Sequence, residues 1–419
     1  MNIRIFPPEG IIEASVDLPL SKSLSARALI INKVGGFAHN IELSDSDDTK
    51  ALQDGLSVSS GKVDIGAAGT AMRFLTAYYA ATEGTEVILD GNERMRQRPI
   101  AILVEALKNL GAQSEYAGEE GFPPLKIKGQ KLNGGEINLD PSVSSQYISA
   151  LMMVAPLMKR PLVLKFEGEP TSLPYIKMTA GLMQQAGVEA LFMFNRIEIP
   201  NDKYTIPIKE IERDWSAASY WYSIGALSAG WITFNEMKLS SLQGDSATIK
   251  FGEKLGVITT ESEEIEDALE LSASPEQHSR IDADMADTPD LVQTLVIASS
   301  ALGIPFRFSG VHTLRNKETD RIEALKKEGL KLGLIFETEG NDVIEWDGKR
   351  VPMLELPRIS TYGDHRMAMA FAPLSIFVPG IIIEDAEVVT KSYPDFWNDL
   401  QKAGFEIIDA DIVENDSDK

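Results

Sequence analysis

One pattern recurs through this chain at a nearly fixed period: an amphipathic helix, a glycine that ends it, then a short β-like run. The helix-ending glycines are Gly111, Gly187, Gly256, Gly333 and Gly404, at intervals of 69 to 77 residues. Glycine just past the last apolar residue is the expected left-handed cap. The stump of a sixth copy lies at 49–54 before Gly55, followed by too few residues for the usual strands. Each copy also carries a second helix, apolar on nearly every side: 24–31, 71–81, 147–157, 217–227, 291–302 and 367–377. A helix apolar all round is buried, not amphipathic. Solenoid repeats are usually about 20–50 residues, shorter than these. The pattern predicts six βαβ-containing units, each with one helix inside and one against solvent.

A buried helix keeps its start wet only at a domain face. Several such starts facing one place would sum their dipoles into an anion trap, so the polar residues there are the candidate functional ones. Composition makes such a trap conspicuous. The 419 residues allow two domains or more, and 43% hydrophobic with 25% charged is an ordinary globular profile. A net charge of −23 argues against nucleic acid or an anionic membrane as partner. Anion binding must come from a local cationic pocket. With no cysteine, disulfides, zinc–thiolate sites and cysteine nucleophiles are excluded. No secretory leader pattern and no long apolar run are present, so a cytoplasmic protein is expected. The acidic tail from Asp409 is expected to fray.

The helix starts are rich in hydroxyls, cations and glycine. Ser21-Lys22-Ser23 and Arg27 open the first, more cation than capping alone requires. Gly66 to Arg73 is a glycine turn into a helix, either a tight turn or a close approach to a ligand, and it matches neither nucleotide-binding glycine pattern. Arg94, Arg96 and Arg98 crowd before Pro99, which is expected at the first position of the next helix. They form either an anion-recognition group or a surface patch. Ser144-Ser145-Gln146 are either capping groups or donors to a polyhydroxy ligand. Asp282, Asp284, Asp287 and Asp290 follow no calcium-loop spacing, so no metal is expected. His39, His278 and His312 have no ligand-like spacing and read as surface residues. Lys391 in isolation is a loop lysine. In Asn316 to Arg321, before the helix at 322–332, Lys317 and Arg321 oppose the helix dipole by roughly 0.3–1 kcal/mol each. A solvated helix start accounts for this; so does a bound anion, which reverses the sign.

Together these motifs resemble the 5-enolpyruvylshikimate-3-phosphate synthase family of enolpyruvyl transferases. The residues that carry the resemblance are Ser21-Lys22-Ser23 with Arg27, Gly69-Thr70-Ala71-Met72-Arg73, Arg94-Met95 with Arg98-Pro99, and Ser144-Ser145-Gln146. They continue with Pro174-Tyr175-Ile176, Lys317 to Arg321, Asp364-His365-Arg366-Met367, and Lys391 with Pro394-Asp395. They run in order along nearly the whole chain.

The resemblance implies an α/β (α+β) fold: a two-domain inside-out α/β barrel of six βαβαββ-type units, the second one shortened. One domain would span 20–213, the other 1–19 with 214–419, with crossovers near 19–20 and 213–214 and the active site in the interdomain cleft. It implies transfer of the enolpyruvyl group of phosphoenolpyruvate to the 5-hydroxyl of shikimate 3-phosphate by addition–elimination. It implies no metal, cofactor, nucleic acid or membrane, and a monomer. By the same resemblance, Lys22, Ser23, Arg27, Ser144, Ser145, Gln146, Ser172, Asp290 and Lys317 meet shikimate 3-phosphate. Lys22, Gly69, Arg98, Gln146, Arg321, Arg366 and Lys391 meet phosphoenolpyruvate. Asp290, Glu318 and Lys22 are catalytic, with His365 in support. Asp290 takes the hydroxyl proton, and Glu318 protonates and then deprotonates C3. Flanking cations favour ionised Glu318, so its acid role calls for bound anions or a dry site.

Departures from the family pattern are Leu20, Ala26, Ala67 and Phe74. Thr313 stands where a substrate-binding Asn is expected, so that contact is not carried over. A related transferase acting on UDP-N-acetylglucosamine typically uses a loop cysteine, absent here, and a Lys-Asn pair where this chain has Lys22-Ser23. A non-catalytic relative would not need Asp290, Glu318, Lys22 and Lys391 together. An RNA-end-processing enzyme conflicts with the charge.

Overall fold

The computed structural model describes residues 1–38, 41–140, 144–168, 170–274, 276 and 278–411. His39 and the tail from 412 lie outside the described residues. The chain divides into two compact units, Leu20–Ile211 and Met1–Pro19 with Glu212–Lys419.

Within Leu20–Ile211 there are two four-stranded sheets of one design. The first runs Ser60–Asp64, Glu86–Asp90, Leu125–Lys128, Gln113–Tyr116, and the second Gly135–Leu139, Leu162–Phe166, Arg196–Ile199, Leu191–Met193. In each, the first two strands are parallel and the rest antiparallel. Parallel neighbours need a crossover, which is the helix Gly69–Ala81 in one and Ser145–Val154 in the other. Gly69–Ala81 buries every residue except Thr70, as its all-round apolarity requires. These two helices and Lys22–Gly35 pack against one another and form the unit's interior.

The second unit repeats the plan with three sheets. Ile281–Asp284 and Phe306–Ser309 are parallel across the helix Val292–Leu302, and Arg358–Ile359 and Ile381–Ile383 across His365–Phe371. The third parallel pair joins Glu13–Val16 to Trp231–Phe234, with the whole of the other unit inserted between them before the helix Trp215–Ser228. These three helices also pack on one another in the core. The N-terminal strand Ile3–Phe6 completes the last sheet, between Ile381–Ile383 and Glu406–Asp409.

Gly111, Gly187, Gly256, Gly333 and Gly404 all lie at positive φ, as helix-ending caps do. Gly55 differs. It sits inside the helix Asp47–Ser57, where a Cβ would come within 2.5 Å of Leu75 Cδ1, and its carbonyl accepts from the Tyr79 hydroxyl. It is a close-packing glycine, not a cap. The shortened copy is also the first of its unit, not the second: among the described residues, Lys22–Gly35 and Asp47–Ser57 precede any strand of that unit. Its outer helix is complete; what it lacks is a sheet. Pro99 is likewise displaced, because Ile100 caps the next helix, Ala101–Asn109. Asp409 is not frayed but pairs with Ile3, and the Ala410 amide donates to Asn2 O.

Candidate active site

In the unit containing Glu212–Lys419, the charged helix starts gather around one guanidinium. Asp320 caps the helix Arg321–Lys331, its carboxylate accepting from the Ile322 and Glu323 amides. Arg321 therefore begins the helix, with its side chain 2% exposed. Its Nε meets Asp364 Oδ2 at 2.7 Å, Nη1 meets Asp290 Oδ1 at 3.1 Å and Nη2 meets Glu318 Oε2 at 3.0 Å. Burial alone pulls Arg321 down, but Asp364, Glu318 and Asp290 outweigh it and hold the guanidinium above its ordinary value.

Further cations face the same carboxylates. Arg366 Nη2 lies 2.9 Å from Asp290 Oδ2 and Lys317 Nζ 3.8 Å from Asp290 Oδ1, while Lys391 Nζ lies 3.5 Å from Glu318 Oε1. The Arg321–Asp364 pair joins the starts of Arg321–Lys331 and His365–Phe371. Asp364 caps His365–Phe371 by accepting from the Arg366 amide at 2.9 Å. His365 is buried with Nδ1 3.7 Å from Asp364 Oδ1. Chemically this is an assembly of Lys and Arg groups, two of them guanidinium forks, compensated by Asp290, Glu318 and Asp364. Anions carrying more charge than two carboxylates could displace that compensation and occupy the cations.

The unit Leu20–Ile211 holds the other candidates. Ser21 caps the helix that carries Lys22, and Lys22 Nζ pairs with Asp48 Oδ2 at 3.1 Å. Arg27 is buried: its Nε donates to Thr179 Oγ1 at 2.7 Å, with further bonds to Ser23 O, Tyr175 O and Ser149 Oγ. Burial pushes its guanidinium down to about 10, against a small opposing effect of Tyr175. Ser144 caps the helix bearing Ser145 and Gln146, and Gln146 Nε2 donates to Thr70 Oγ1 at 3.1 Å. Ser172 precedes the helix Leu173–Gln185 at φ 55°, a left-handed conformation for a non-glycine residue.

The glycine turn proves to be two devices. Gly66 makes the bend at φ 55°, while a Cβ on Gly69 would stand 2.5 Å from Arg98 Nη1. The arginine trio divides as well. Arg96 is half exposed on Asp90, at 2.7 Å, and Arg94 reaches Gln97, whereas Arg98 is buried beside Gly69.

Sequence reasoning does not find Asp48, Thr179 and Asp245. Asp48 and Thr179 lie 26 and 152 residues from the groups they hold, so no local spacing could reveal them. Asp245 is buried and accepts from the Ser216 hydroxyl. Burial and then the charge of Asp290 push its carboxyl up to about 6, while Arg366 pulls it down. Of the other candidates, Asp282 pairs with Arg280 and Asp284 accepts from the Ala286 amide. The Thr313 hydroxyl is buried with no hydrogen-bond partner among the described residues. His312 meets exposed Asp342 at 2.9 Å. No helix of the described residues is long and apolar enough to cross a membrane.

Known proteins are similar to this chain over most of its length. The profile of the family described as EPSP synthase (3-phosphoshikimate 1-carboxyvinyltransferase) matches residues 36–400. A 3-phosphoshikimate 1-carboxyvinyltransferase of Bacteroides fragilis (strain YCH46) is 48% identical over 400 residues, covering 94% of this chain and 96% of its own. That of Photobacterium damsela subsp. piscicida is 35% identical over 441 residues, covering 96% and 99%. An EPSP synthase structure from Acinetobacter baumannii shares the fold, with a TM-score of 0.75 at 20% identity over 98% of this chain and all of that one. With a family profile over most of the sequence and a relative near half identical end to end, the chain belongs to the EPSP synthase family.

Proposed function

We infer that the chain transfers the enolpyruvyl group of phosphoenolpyruvate to the 5-hydroxyl of shikimate 3-phosphate and releases phosphate. This is a step of the shikimate pathway, leading toward chorismate and the aromatic amino acids. The observation that carries the reading, in a member of this family, is the set of cations facing Asp290 and Glu318: Arg321, Arg366, Lys317 and Lys391.

The roles are those the family resemblance implies, and the charges of the cations agree with them. Phosphoenolpyruvate brings a carboxylate and a phosphate, which suit Arg321, Arg366 and Lys391; the resemblance assigns it Lys22, Gly69, Arg98 and Gln146 as well. Shikimate 3-phosphate suits Arg27, Lys22, Ser23, Ser144, Ser145, Gln146, Ser172, Lys317 and Asp290. Once substrate anions take the cations, Asp290 and Glu318 are released for proton transfer. The 5-hydroxyl gives its proton to Asp290 as its oxygen bonds to C2, and Glu318 delivers a proton to C3. Glu318 then takes a proton back from C3, the C2–C3 double bond re-forms and the C2–O bond to phosphate breaks. Each positioned proton carrier contributes about 10²–10⁴-fold, and fixed cations stabilise the crowded anions throughout. His365, beside Asp364, supports the capping carboxylate. The reading extends to six repeat units of βαβαββ type, one of them shortened and without its sheet, to a monomer and to a cytoplasmic location.

The test is phosphate release from phosphoenolpyruvate, with shikimate 3-phosphate or UDP-N-acetylglucosamine as acceptor. Turnover with the first alone supports the reading. No turnover with either would end it.

A further inference from the structure

The turn that leads into His365–Phe371 is held in an unfavourable conformation by a side chain outside the mechanism. The Asp364 amide donates to Thr361 O at 2.9 Å, closing a four-residue turn. Its central residues, Tyr362 and Gly363, lie at φ 56° and 69°. Two positive φ values in a row call for Asn, Asp or Gly at both places, because a Cβ crowds the backbone there. Gly363 satisfies that demand and Tyr362 does not.

Glu328 accounts for the tyrosine. It lies on Arg321–Lys331, two turns beyond Arg321, and is fully buried. Its Oε1 accepts from the Tyr362 hydroxyl at 2.6 Å, and its Oε2 accepts from the Ser360 amide at 3.0 Å and pairs with Lys331 at 2.7 Å. Burial and the Glu328 contact raise the Tyr362 phenol, so it remains a donor at any working pH. The same helix grips the turn at its other end, where Arg321 holds Asp364. One helix thus fixes the segment Ser360–Asp364 at both ends, and that segment aims Arg366. Residues kept at sparsely populated φ values persist where the surroundings over-determine them, and they gather at functional sites.

We propose that Glu328 and Tyr362 are positioning residues for the transfer reaction, clamping the turn Thr361–Asp364 so that Asp364, Arg321 and Arg366 are set for the phosphoenolpyruvate anion. The proposal rests on the reading of Arg321 and Arg366 as phosphoenolpyruvate ligands.

The decisive variant is Tyr362→Asn, which tolerates positive φ but cannot reach Glu328. It is expected to change the melting temperature little, because relief of the backbone strain offsets the lost hydrogen bond to Glu328, to raise KM for phosphoenolpyruvate about tenfold through misplaced cations, and to leave KM for shikimate 3-phosphate within about twofold. Tyr362→Phe and Glu328→Gln should move KM for phosphoenolpyruvate in the same direction by a smaller factor. An unchanged KM for phosphoenolpyruvate in Tyr362→Asn overturns the proposal. So does a fall in melting temperature with both KM values rising together, which marks a fold contact. Arg366→Ala separates the two readings. If it leaves phosphoenolpyruvate kinetics untouched, the assignment of the site fails; if it impairs them while Tyr362→Asn does not, the clamp alone fails.

Discussion

Arg321 and Asp364 form a two-point ion pair in the core, with Nε to Oδ2 at 2.7 Å and Nη2 to Oδ1 at 3.4 Å. The side chains are 2% and 0% exposed. The pair ties the first residue of one helix to the N-cap of another, and the same carboxylate accepts from the Arg366 amide. A group that caps a helix, neutralises a buried arginine and orients a second one has no neutral substitute.

Asp364→Asn keeps the volume and a capping oxygen but leaves Arg321 short of a charge. Breaking a buried pair from one side costs about 3–5 kcal/mol, which corresponds to a loss on the order of 10 °C in melting temperature for a unit of this size. Thermal denaturation checks the first effect, and binding of phosphoenolpyruvate, expected to weaken at the same time, checks the second. A variant as stable as the parent would mean that Asp290 and Glu318 satisfy Arg321 without Asp364.

Glu318→Gln tests the proton carrier. The amide still fits between Arg321 and Lys391 but cannot deliver or remove the C3 proton. Turnover is expected to fall by about 10²–10⁴-fold, the usual contribution of a positioned acid or base. Calorimetric titration with shikimate 3-phosphate should still show binding. Activity above a few per cent would assign the C3 proton to another group.

Arg27 depends on a hydroxyl far away in sequence. Thr179 accepts from Arg27 Nε at 2.7 Å and is itself bonded to Ser149 and Tyr175 O. Thr179→Val preserves shape and leaves a buried donor unsatisfied, at a cost of about 1–3 kcal/mol. KM for shikimate 3-phosphate should rise while KM for phosphoenolpyruvate stays near the parent value. Equal effects on both substrates would place Arg27 outside the acceptor's share of the site.

These cases mark how far the sequence could be read. Helix starts at Ser21 and Ser144 were legible because capping is local chemistry, decided within about three residues. The buried helices were legible because apolarity on every side leaves no solvent face. Asp48, Thr179 and Asp245 were not, because their partners are brought to them only by topology. Gly55 misled for a related reason. A glycine near a helix end reads as a cap, and nothing nearby reveals that Leu75 will pack against it. The missing sheet of the shortened copy was visible as missing length, but which strands had gone was not.

Gly69→Ala places a methyl where the Arg98 guanidinium lies, 2.5 Å from Nη1. The obstructed atom is the end of a flexible side chain, so Arg98 should swing aside at little cost to the fold. A cation displaced by about 1 Å can lower activity by as much as 10²-fold. KM for phosphoenolpyruvate is expected to rise with melting temperature nearly unchanged. If KM is unaffected, Arg98 does not touch that substrate.

Asp245 offers a test through pH. Burial, then the charge of Asp290, pushes its carboxyl up to about 6 from the ordinary 3.8, with Arg366 and the Ser216 hydroxyl pulling the other way. The folded value lies above the unfolded one, so the folded protein holds this proton more tightly. The stabilisation from that proton is fully present below about pH 4 and lost as pH rises through about 6. Above pH 7 the buried carboxylate is ionised and opposes folding by up to about 3 kcal/mol, since each tenfold change in proton affinity is worth about 1.4 kcal/mol. Asp245→Asn cannot ionise, and its amide oxygen can still accept from Ser216. Chemical denaturation should therefore find the variant more stable than the parent near pH 7.5, with the gap closing toward pH 5. A gap that stays constant from pH 5 to pH 8 would show that Asp245 does not titrate in this range, and that Arg366 compensates Asp290 and Asp245 together.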